Sequence, residues 1–174
     1  MPPKLDLRSF IRDVPDFPQP GVLFRDITPL LGSAEALRQA VDWYCEVADA
    51  MRPQAVVGIE SRGFLFGTPV ATRLGLPFVP VRKPGKLPAQ RMTVEYALEY
   101  GENQLDIHAD ALRPGQTAVI IDDLIATGGT AAGAAKLVEF IGGRVAGCVF
   151  LIELAGLRGR ERLDYPVETL IRYE

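Results

Sequence analysis

The stretch VIIDDLIATGGT, residues 119–130, decides the fold class of this chain. It joins an apolar, β-branched run to a loop with two adjacent glycines, and a helical pattern of apolar residues follows. A buried strand, a glycine-rich turn and an amphipathic helix in this order are typical of α/β proteins with a parallel sheet. The stretch therefore predicts one strand-loop-helix unit, and the surrounding chain shows more of them.

Apolar runs without polar alternation predict the other buried strands: QAVVGI (54–59), LPFVPV (76–81), TAVII (117–121) and GCVFLI (147–152). Helical periodicity lies between them: from an N-cap at Ser33 to about Met51, over Phe64 to Leu74, and after the Gly-Gly pair from Ala134 to Ile141. Buried strands that are separated by amphipathic helices predict an α/β fold with a mainly parallel central sheet flanked by helices.

The remaining segments give weaker patterns. Lys4 to Val14 is expected to form a short helix, and the prolines of 16–31 are expected to prevent regular structure through most of that run. The cationic stretch 82–92 is predicted to be a loop. TVEYALEY (93–100) alternates as a strand does, although its Ala, Leu and Glu residues also favour a helix. GENQLDIH (101–108) is predicted to pair back with it, with a turn at 101–103.

Composition limits the class of protein. With 174 residues, 48% of them hydrophobic, the chain fits a single domain over 1–174. The net charge is −3 and no basic block is present, so nucleic-acid binding is not expected. The apolar stretches are strand-sized, so no membrane span is expected. The N-terminus resembles neither a signal nor a transit peptide, and Cys45 and Cys148 form no CxxC motif, so we expect a cytoplasmic protein.

The loop Ala126, Thr127, Gly128, Gly129 and Thr130 predicts a phosphate site. Its glycines allow close backbone approach, its threonines add hydroxyl donors, and the N–H groups that open the next helix complete an anion-binding nest. The alternative is an ordinary tight turn. The loop matches neither GxxxxGK[ST] nor GxGxxG, which disfavours a P-loop NTPase and a simple dinucleotide-binding fold.

Asp122 and Asp123 precede that loop, where their charge would repel a phosphate. We expect them to end the strand on its two faces and to accept hydrogen bonds from vicinal sugar hydroxyls, directly or through a divalent cation. The alternative is that one carboxylate caps the turn and the other is solvated. A ribose 5-phosphate would satisfy both the carboxylates and the phosphate nest.

Cations follow two other predicted strands. Arg62 follows QAVVGI, and Arg82, Lys83 and Lys86 follow LPFVPV. Because ligands of such sheets lie beyond the carboxyl ends of the strands, these residues predict a second, highly charged anion such as pyrophosphate. A surface arginine and a solvated linker are the alternatives. The only histidine, His108, has no partner at catalytic or metal spacing and is expected to be structural.

The motifs together resemble those of the adenine phosphoribosyltransferases, within the type I phosphoribosyltransferases, which bind 5-phosphoribosyl 1-pyrophosphate (PRPP). The resemblance is carried, in order, by FPQPGVLFRDITPLL (17–31), GIESRGFLFG (58–67), VPVRKPGKLP (79–88), YALEYGE (96–102) and VIIDDLIATGGT (119–130). It covers nearly the whole chain from Phe17 onward. Ile125, where the family often has leucine, is a conservative departure.

The resemblance implies the reaction adenine plus PRPP to AMP plus pyrophosphate, a purine-salvage step that uses Mg²⁺ held mainly by PRPP and water. It implies the type I fold, with an N-terminal hood over 1–32 and a β-ribbon lid over 83–104. Leu87 to Tyr100 correspond to the mobile part of the lid. A homodimer is implied as well, and the cations after LPFVPV act either in their own chain or in the neighbouring subunit.

Residue roles follow from the same resemblance. Ala126 to Thr130 hold the 5′-phosphate, Asp122 and Asp123 the ribose hydroxyls, and Arg62 the pyrophosphate, next to a cis peptide between Glu60 and Ser61. Arg82, Lys83 and Lys86 add pyrophosphate contacts. Glu99, followed by Tyr100, is the acid/base candidate, with a solvent-facing lid residue as its alternative. Phe24 and Arg25 cover the adenine, and Leu154 packs on its other side.

Two other functions stay open. A phosphoribosyltransferase for another purine or a pyrimidine would share most of the motifs. A regulator that keeps a PRPP site and binds nucleic acid is disfavoured by the acidic charge balance and by the presence of the lid glutamate and of Arg62.

Overall fold

The computed structural model describes residues 5–98 and 101–174, with the backbone alone for 96–98 and 101–103. The chain divides into two compact units, Met1–Trp43 and Tyr44–Glu174. The boundary lies within one long helix. The prediction of a single domain over 1–174 stays a prediction.

The first unit begins with a 3₁₀ turn, Leu7–Phe10, and a hairpin of β1 (Arg12–Pro15) and β2 (Leu23–Asp26). The predicted helix over Lys4 to Val14 is wrong. The Asp6 carboxylate accepts the Arg8 N–H at 3.1 Å and caps only the single turn, and the chain then pairs with β2, with Val14 opposite Phe24. β2 and the short helix α1 (Thr28–Leu31) also lie in the run that was predicted to be irregular.

The helix α2 (Ala34–Ala50) begins where the sequence predicts. The hydroxyl of Ser33 accepts the N–H of Ala36 at 3.3 Å and so satisfies one of the unpaired N–H groups of the first turn. Ala40, Tyr44 and Ala48 are fully buried on one face, at the spacing of three to four residues that an amphipathic helix requires.

The second unit is built on a parallel sheet of five strands, which confirms the predicted fold class. The strand order is β4 (Phe78–Val81), β3 (Ala55–Ile59), β7 (Thr117–Ile125), β8 (Arg144–Leu154) and β9 (Val167–Tyr173). β3 and β7 lie side by side, with Ala55 opposite Ala118. β9 was not predicted from the sequence, because it is an edge strand of mixed burial and its pattern is not a continuous apolar run.

Helices cover both faces of this sheet. The helix α4 (Gly129–Phe140) packs over Val57, Ile120 and Phe150 in the main core. The helix α3 (Gly63–Leu74) connects β3 to β4, on the other side of the switch in strand order, so a right-handed crossover puts it on the opposite face. There Phe66 stacks on Tyr44 with 5.0 Å between ring centroids. In the described part of the chain, no helix is long and apolar enough to cross a membrane.

The segment predicted as a β-ribbon is a separate antiparallel hairpin of β5 (Arg91–Leu98) and β6 (Gly101–His108). The turn expected at 101–103 is wrong, because pairing already starts with Gly101 opposite Leu98. Buried Asp106 anchors the base of the hairpin. Its carboxylate accepts the Thr93 hydroxyl at 2.6 Å and pairs with Arg91 at 3.1 Å. The mobility of the lid over 83–104 stays a prediction.

Candidate functional site

A pocket of about 410 Å³ lies at the carboxyl ends of β3 and β7. Parallel strands bring their carboxyl ends to one edge of a sheet, so residues that are distant in sequence meet there. The lining residues come from the ends of β3 and β7 and the segments that follow them, together with Lys83 after β4, Leu105 of β6 and Phe150 of β8: Glu60, Ser61, Arg62, Lys83, Leu105, Asp122, Asp123, Leu124, Ile125, Ala126, Thr127, Gly128, Gly129, Thr130, Ala131 and Phe150.

The phosphate loop, Ala126 to Thr130, has the geometry of an anion site. Gly128 has φ +78°, in the left-handed region that favours glycine, and caps α4, which begins at Gly129. The N–H groups that open a helix point outward and carry the positive end of its dipole. Because Gly129 and Thr130 already belong to the helix, the last two loop residues present their backbone from its first turn.

Asp122 and Asp123 lie within β7, which continues to Ile125, so the expectation that they end the strand is wrong. Asp123 is buried, and the Arg62 Nε donates to its carboxylate in an ion pair. The Asp122 Oδ1 accepts the Asp123 N–H at 2.9 Å. Burial, together with the neighbouring charge of Asp123, raises the pKa of Asp122 well above its usual value. Both carboxylates line the pocket, and they have different partners: Arg62 for Asp123 and the backbone N–H of Asp123 for Asp122.

Tyr44 supports this pair from beneath the pocket. Its fully buried hydroxyl donates to the carbonyl oxygen of Asp122 at 2.7 Å. Burial first, and then the charges of Asp123 and Asp122, raise the pKa of Tyr44, so the phenol remains a donor. The sequence pattern predicts only that Tyr44 lies on the apolar face of α2. It does not predict this contact, because nothing local links Tyr44 to a residue 78 positions away.

The arginine loop, Glu60 to Arg62, contains the cis peptide that the resemblance implies, between Glu60 and Ser61. Glu60 binds the cations that follow β4. It accepts from the Lys86 Nζ at 2.6 Å, the Lys83 N–H at 3.0 Å and the Arg82 guanidinium at 3.3 Å. Burial pushes the pKa of Glu60 upward, but these hydrogen bonds outweigh it and lower the pKa to about 2. Glu60 is thus a charged carboxylate that binds the side chains of Arg82 and Lys86.

Comparison with known proteins gives the family. Residues 27–172 match the model of the phosphoribosyl transferase domain. The adenine phosphoribosyltransferase of Rippkaea orientalis is 56% identical over 173 residues, which cover 97% of this chain and all of that protein. The chain belongs to the adenine phosphoribosyltransferases, within the phosphoribosyltransferase family. It is therefore a pentosyltransferase.

Solved structures of this family have the same fold. The adenine phosphoribosyltransferase of Thermoanaerobacter pseudethanolicus superimposes with a TM-score of 0.94 at 48% identity, over 97% of this chain and 98% of that one. The enzyme from Saccharomyces cerevisiae, complexed with an imino-altritol bisphosphate and adenine, has a TM-score of 0.90 at 39% identity, over 95% and 96% of the two chains. The phosphoribosyltransferase motifs thus lie in the expected architecture.

The structure brings many of the predicted site residues of this family to one pocket. Both aspartates, the whole phosphate loop, Arg62 and Lys83 line it. Arg82, Lys86 and Leu154 are not among its lining residues. The first two are bound to Glu60, and Leu154 ends β8 at the same edge of the sheet.

The remaining predicted residues of the phosphoribosyltransferase site lie elsewhere in the chain. Phe24 and Arg25 belong to the first unit. Phe24 packs edge-on against Phe17 with 5.1 Å between centroids, and Arg25 forms an ion pair with Asp13 across the hairpin. Glu99 and Tyr100 lie outside the described residues. Their roles, like those of all the site residues, stay predictions.

Glu60, Leu105 and Phe150 were not predicted to belong to the site. Glu60 has a signal in the sequence, since it is an acid at the end of a predicted strand and four cations lie in the segments that follow this strand and the next. Leu105 and Phe150 look like core residues, and both are at least 98% buried although they reach the pocket wall. An apolar wall residue has no local signature.

Proposed function

We propose that this chain transfers the 5-phosphoribosyl group of PRPP to adenine, giving AMP and pyrophosphate. One observation supports this most: a single pocket combines a glycine-rich phosphate loop, two carboxylates and Arg62. Membership of the adenine phosphoribosyltransferases supports the choice of base. The yeast relative, solved with a bisphosphate and adenine, supports it further.

The ribose 5-phosphate part of PRPP fits one side of the pocket. The N–H groups and hydroxyls of Ala126 to Thr130 would donate to the 5′-phosphate, and the adjacent carboxylates of Asp122 and Asp123 would accept from the ribose hydroxyls. Burial and like charge disfavour ionisation of Asp122, and hydroxyl donors or a cation at this position would relieve that cost.

The diphosphate fits beside the arginine loop. Arg62 and Lys83 line this part of the pocket. In the structure Arg62 is paired with Asp123, so binding of PRPP would exchange that ion pair for an Arg62–diphosphate contact and an Asp123–hydroxyl contact. Each charged group thereby keeps a partner, which limits the desolvation cost of closing the site.

The reaction breaks the bond between C1′ and the pyrophosphate oxygen and forms a bond between C1′ and N9 of adenine. The ribosyl carbon acquires oxocarbenium character, and pyrophosphate leaves with the electrons of the broken bond. Arg62 and Lys83 would stabilise that leaving charge, an interaction worth several kcal/mol when water is excluded (about 2.7–4 kcal/mol for one oriented donor). The N9 proton must pass to a base, and Glu99 is the proposed acceptor.

Mg²⁺ fits the donor set. Within the described part of the chain, no cluster of three or more acidic, histidine or cysteine side chains could hold a metal ion. Asp122 and Asp123 are hard oxygen donors, and Mg²⁺ commonly takes one or two carboxylates and completes its shell with phosphate and water. The ion, when bound through PRPP, supplies charge neutralisation for the diphosphate.

The base and its cover complete the proposal. We place adenine between Leu154 on one side and the hood residues Phe24 and Arg25 on the other, with the 83–104 lid excluding water that would hydrolyse the sugar donor. Arg82 and Lys86, which Glu60 holds at the pocket edge, would contribute to pyrophosphate binding in a homodimer. The buried, free cysteines Cys45 and Cys148 support a reducing, cytoplasmic setting. The proposed reaction is a step of purine salvage.

The reaction is tested by incubating the protein with PRPP, Mg²⁺ and one base at a time, namely adenine, guanine, hypoxanthine or orotate, and by measuring released pyrophosphate. We expect turnover with adenine alone. The reaction mixture without a base reports hydrolysis of PRPP and serves as the control. Turnover with none of the bases would contradict the enzyme, and turnover only with another base would contradict the assignment of adenine.

A further inference from the structure

The segment after β8 returns to the back of the phosphate loop. It consists of two 3₁₀ turns, Ala155–Leu157 and Gly159–Arg162, which we call the C-terminal turn (155–162). Gly159 is buried against the loop. A Cβ atom added to Gly159 would collide with the Ala126 carbonyl oxygen and lie 2.8 Å from the Gly128 nitrogen. One added to Gly128 would collide with the Gly159 carbonyl group. The two backbones are therefore in direct contact, which only glycine permits at both positions.

Arg160 fixes the C-terminal turn to the sheet. Its guanidinium donates to both carboxylate oxygens of Glu153, at 2.8 Å and 3.2 Å, and also to the carbonyl oxygen of Val167. The Thr169 hydroxyl donates to the same carboxylate at 2.8 Å. A bidentate arginine–carboxylate pair sets orientation as well as distance. The turn is thereby attached to β8 and to β9.

Glu153 connects the C-terminal turn to the strand that precedes the phosphate loop. It is 5% exposed and lies opposite Ile125 in the pairing of β7 with β8, and Ile125 directly precedes the phosphate loop. The hydrogen bond from Arg160 lowers the pKa of Glu153, so the pair stays charged. The loop is thus held at its start by β8 and at its back by Gly159, and Arg160 connects these two supports.

None of Glu153, Gly159 and Arg160 is among the residues that line the pocket. Gly159 contacts the phosphate loop directly, and Arg160 is linked to the loop through Glu153 and Ile125, so both can influence a ligand through the loop. Donors that are fixed in place before the ligand binds cost no reorganisation, and a displacement of about 1 Å costs about 100-fold in rate. A backbone packed against the loop is a direct way to prevent such a displacement.

We propose that Gly159 and Arg160 are positioning residues that fix the phosphate loop for the 5′-phosphate. This inference rests on the proposed role of Ala126 to Thr130 in binding the 5′-phosphate. It adds an explanation of what holds the loop in its conformation. The expected signature is selective: binding of the phosphorylated sugar weakens while binding of adenine does not, because adenine does not contact the phosphate loop.

The test uses Gly159→Ala, with Gly156→Ala as its matched control. Gly156 lies in the same C-terminal turn, and an added Cβ there meets no atom within 4 Å. We expect Gly159→Ala to raise the Kd for ribose 5-phosphate and the KM for PRPP at least tenfold, with a change of less than twofold in the KM for adenine. Gly156→Ala should leave all three unchanged. Calorimetry gives the Kd, and the pyrophosphate assay gives both KM values.

Arg160→Ala provides a second variant at a position whose side chain is 43% exposed, where the substitution removes hydrogen bonds but introduces no collision with the loop. It should show the same selective loss, and Arg160→Lys, which keeps the charge but not the bidentate geometry, should lie between Arg160→Ala and the wild type. If Gly159→Ala does not fold, Arg160→Ala decides. Unchanged ribose 5-phosphate binding, or equal losses for PRPP and adenine, would overturn the proposal.

The proposed function can fail separately from this inference. A wild-type protein that binds ribose 5-phosphate without turning over adenine contradicts the reaction alone, and the ribose 5-phosphate comparison of the variants still decides the positioning role. A wild-type protein that does not bind ribose 5-phosphate overturns both.

Discussion

The phosphate loop and the arginine loop lie at the same edge of the sheet but are held in different ways. The phosphate loop follows β7 and is fixed by backbone contact, with Gly128 in a left-handed conformation against Gly159. The arginine loop follows β3 and is surrounded by ion pairs, from Arg62 to Asp123 and from Glu60 to Arg82 and Lys86. The phosphate loop is thus held by backbone packing, and the arginine loop is held by ion pairs.

This difference matches the two parts of the proposed ligand. The 5′-phosphate is present in substrate and product alike, so a rigid cradle suits it. The diphosphate arrives with PRPP and leaves as pyrophosphate, and ion pairs can exchange partners at each step. A site that must release one of its anions benefits from holding that anion with side chains rather than with a fixed backbone.

The largest expected effect comes from removing the charge of the arginine loop. Arg62→Ala should lower kcat/KM for PRPP about 10²–10³-fold, because the leaving pyrophosphate loses an oriented donor. Asp123→Asn should act in the same direction through the ribose hydroxyls. Steady-state kinetics measure both, and thermal unfolding should change by only a few degrees.

Arg113→Ala is the control for Arg62→Ala, since Arg113 is exposed in the turn before β7, at the opposite edge of the sheet. It should leave kcat/KM unchanged. The prediction is contradicted if Arg62→Ala greatly lowers the Tm while the folded protein keeps a normal kcat/KM. Arg62 would then stabilise the fold and not the reaction.

A smaller effect is expected from filling the phosphate loop. Gly128→Ala adds a Cβ at φ +78° and against Gly159, whereas Gly75→Ala adds one at φ +67° with no atom within 4 Å. The left-handed conformation alone should cost about 1–2 kcal/mol in each variant. The collision should cost Gly128→Ala about 1–3 kcal/mol more. Chemical denaturation measures the free energy of unfolding of both variants. If the two variants lose the same amount, the contact with Gly159 does not fix the phosphate loop.

The smallest effect concerns Glu60 and pH. Its pKa falls from about 4.5 to about 2 on folding, so its contribution to stability is present above pH 4.5 and is lost as the pH falls toward 2. Glu60→Gln should lower the free energy of unfolding at pH 7 by about 1–3 kcal/mol. The difference in the free energy of unfolding between the variant and the wild type should disappear as the pH falls from 4.5 to 2.

The control for this series of denaturation curves is Glu46→Gln, which replaces an exposed glutamate and should leave the free energy of unfolding at pH 7 close to that of the wild type. If the difference in the free energy of unfolding between Glu60→Gln and the wild type stays constant from pH 7 to pH 2, the ion pairs of Glu60 do not stabilise the arginine loop.

Some elements could be predicted because their signal is local. β3, β7 and β8 are continuous apolar runs, Ser33 is a recognisable N-cap, and the glycines after β7 mark a loop. The order of these features along the chain was enough to place the two aspartates, the phosphate loop and Arg62 at one edge. The family resemblance then supplied the chemistry.

The other features depend on partners that are distant in sequence. Arg62 and Asp123 are 61 residues apart, and no spacing rule says that they form an ion pair when no ligand is considered. The N-terminal segment has a plausible helical composition, but pairing of β1 with β2 overrides it. Gly159 looks like an ordinary turn residue until the phosphate loop is seen against it.

The strand order has a consequence for the newly made chain. β3 pairs with β4 through the crossover helix α3, but its other edge pairs with β7, where Ala55 lies opposite Ala118. While the protein is being synthesised, the apolar edge of β3 is therefore exposed until some sixty further residues have emerged. Unpaired apolar edges recruit other chains. Because residues from the ends of both strands line the pocket, its two sides come together only when β7 pairs with β3.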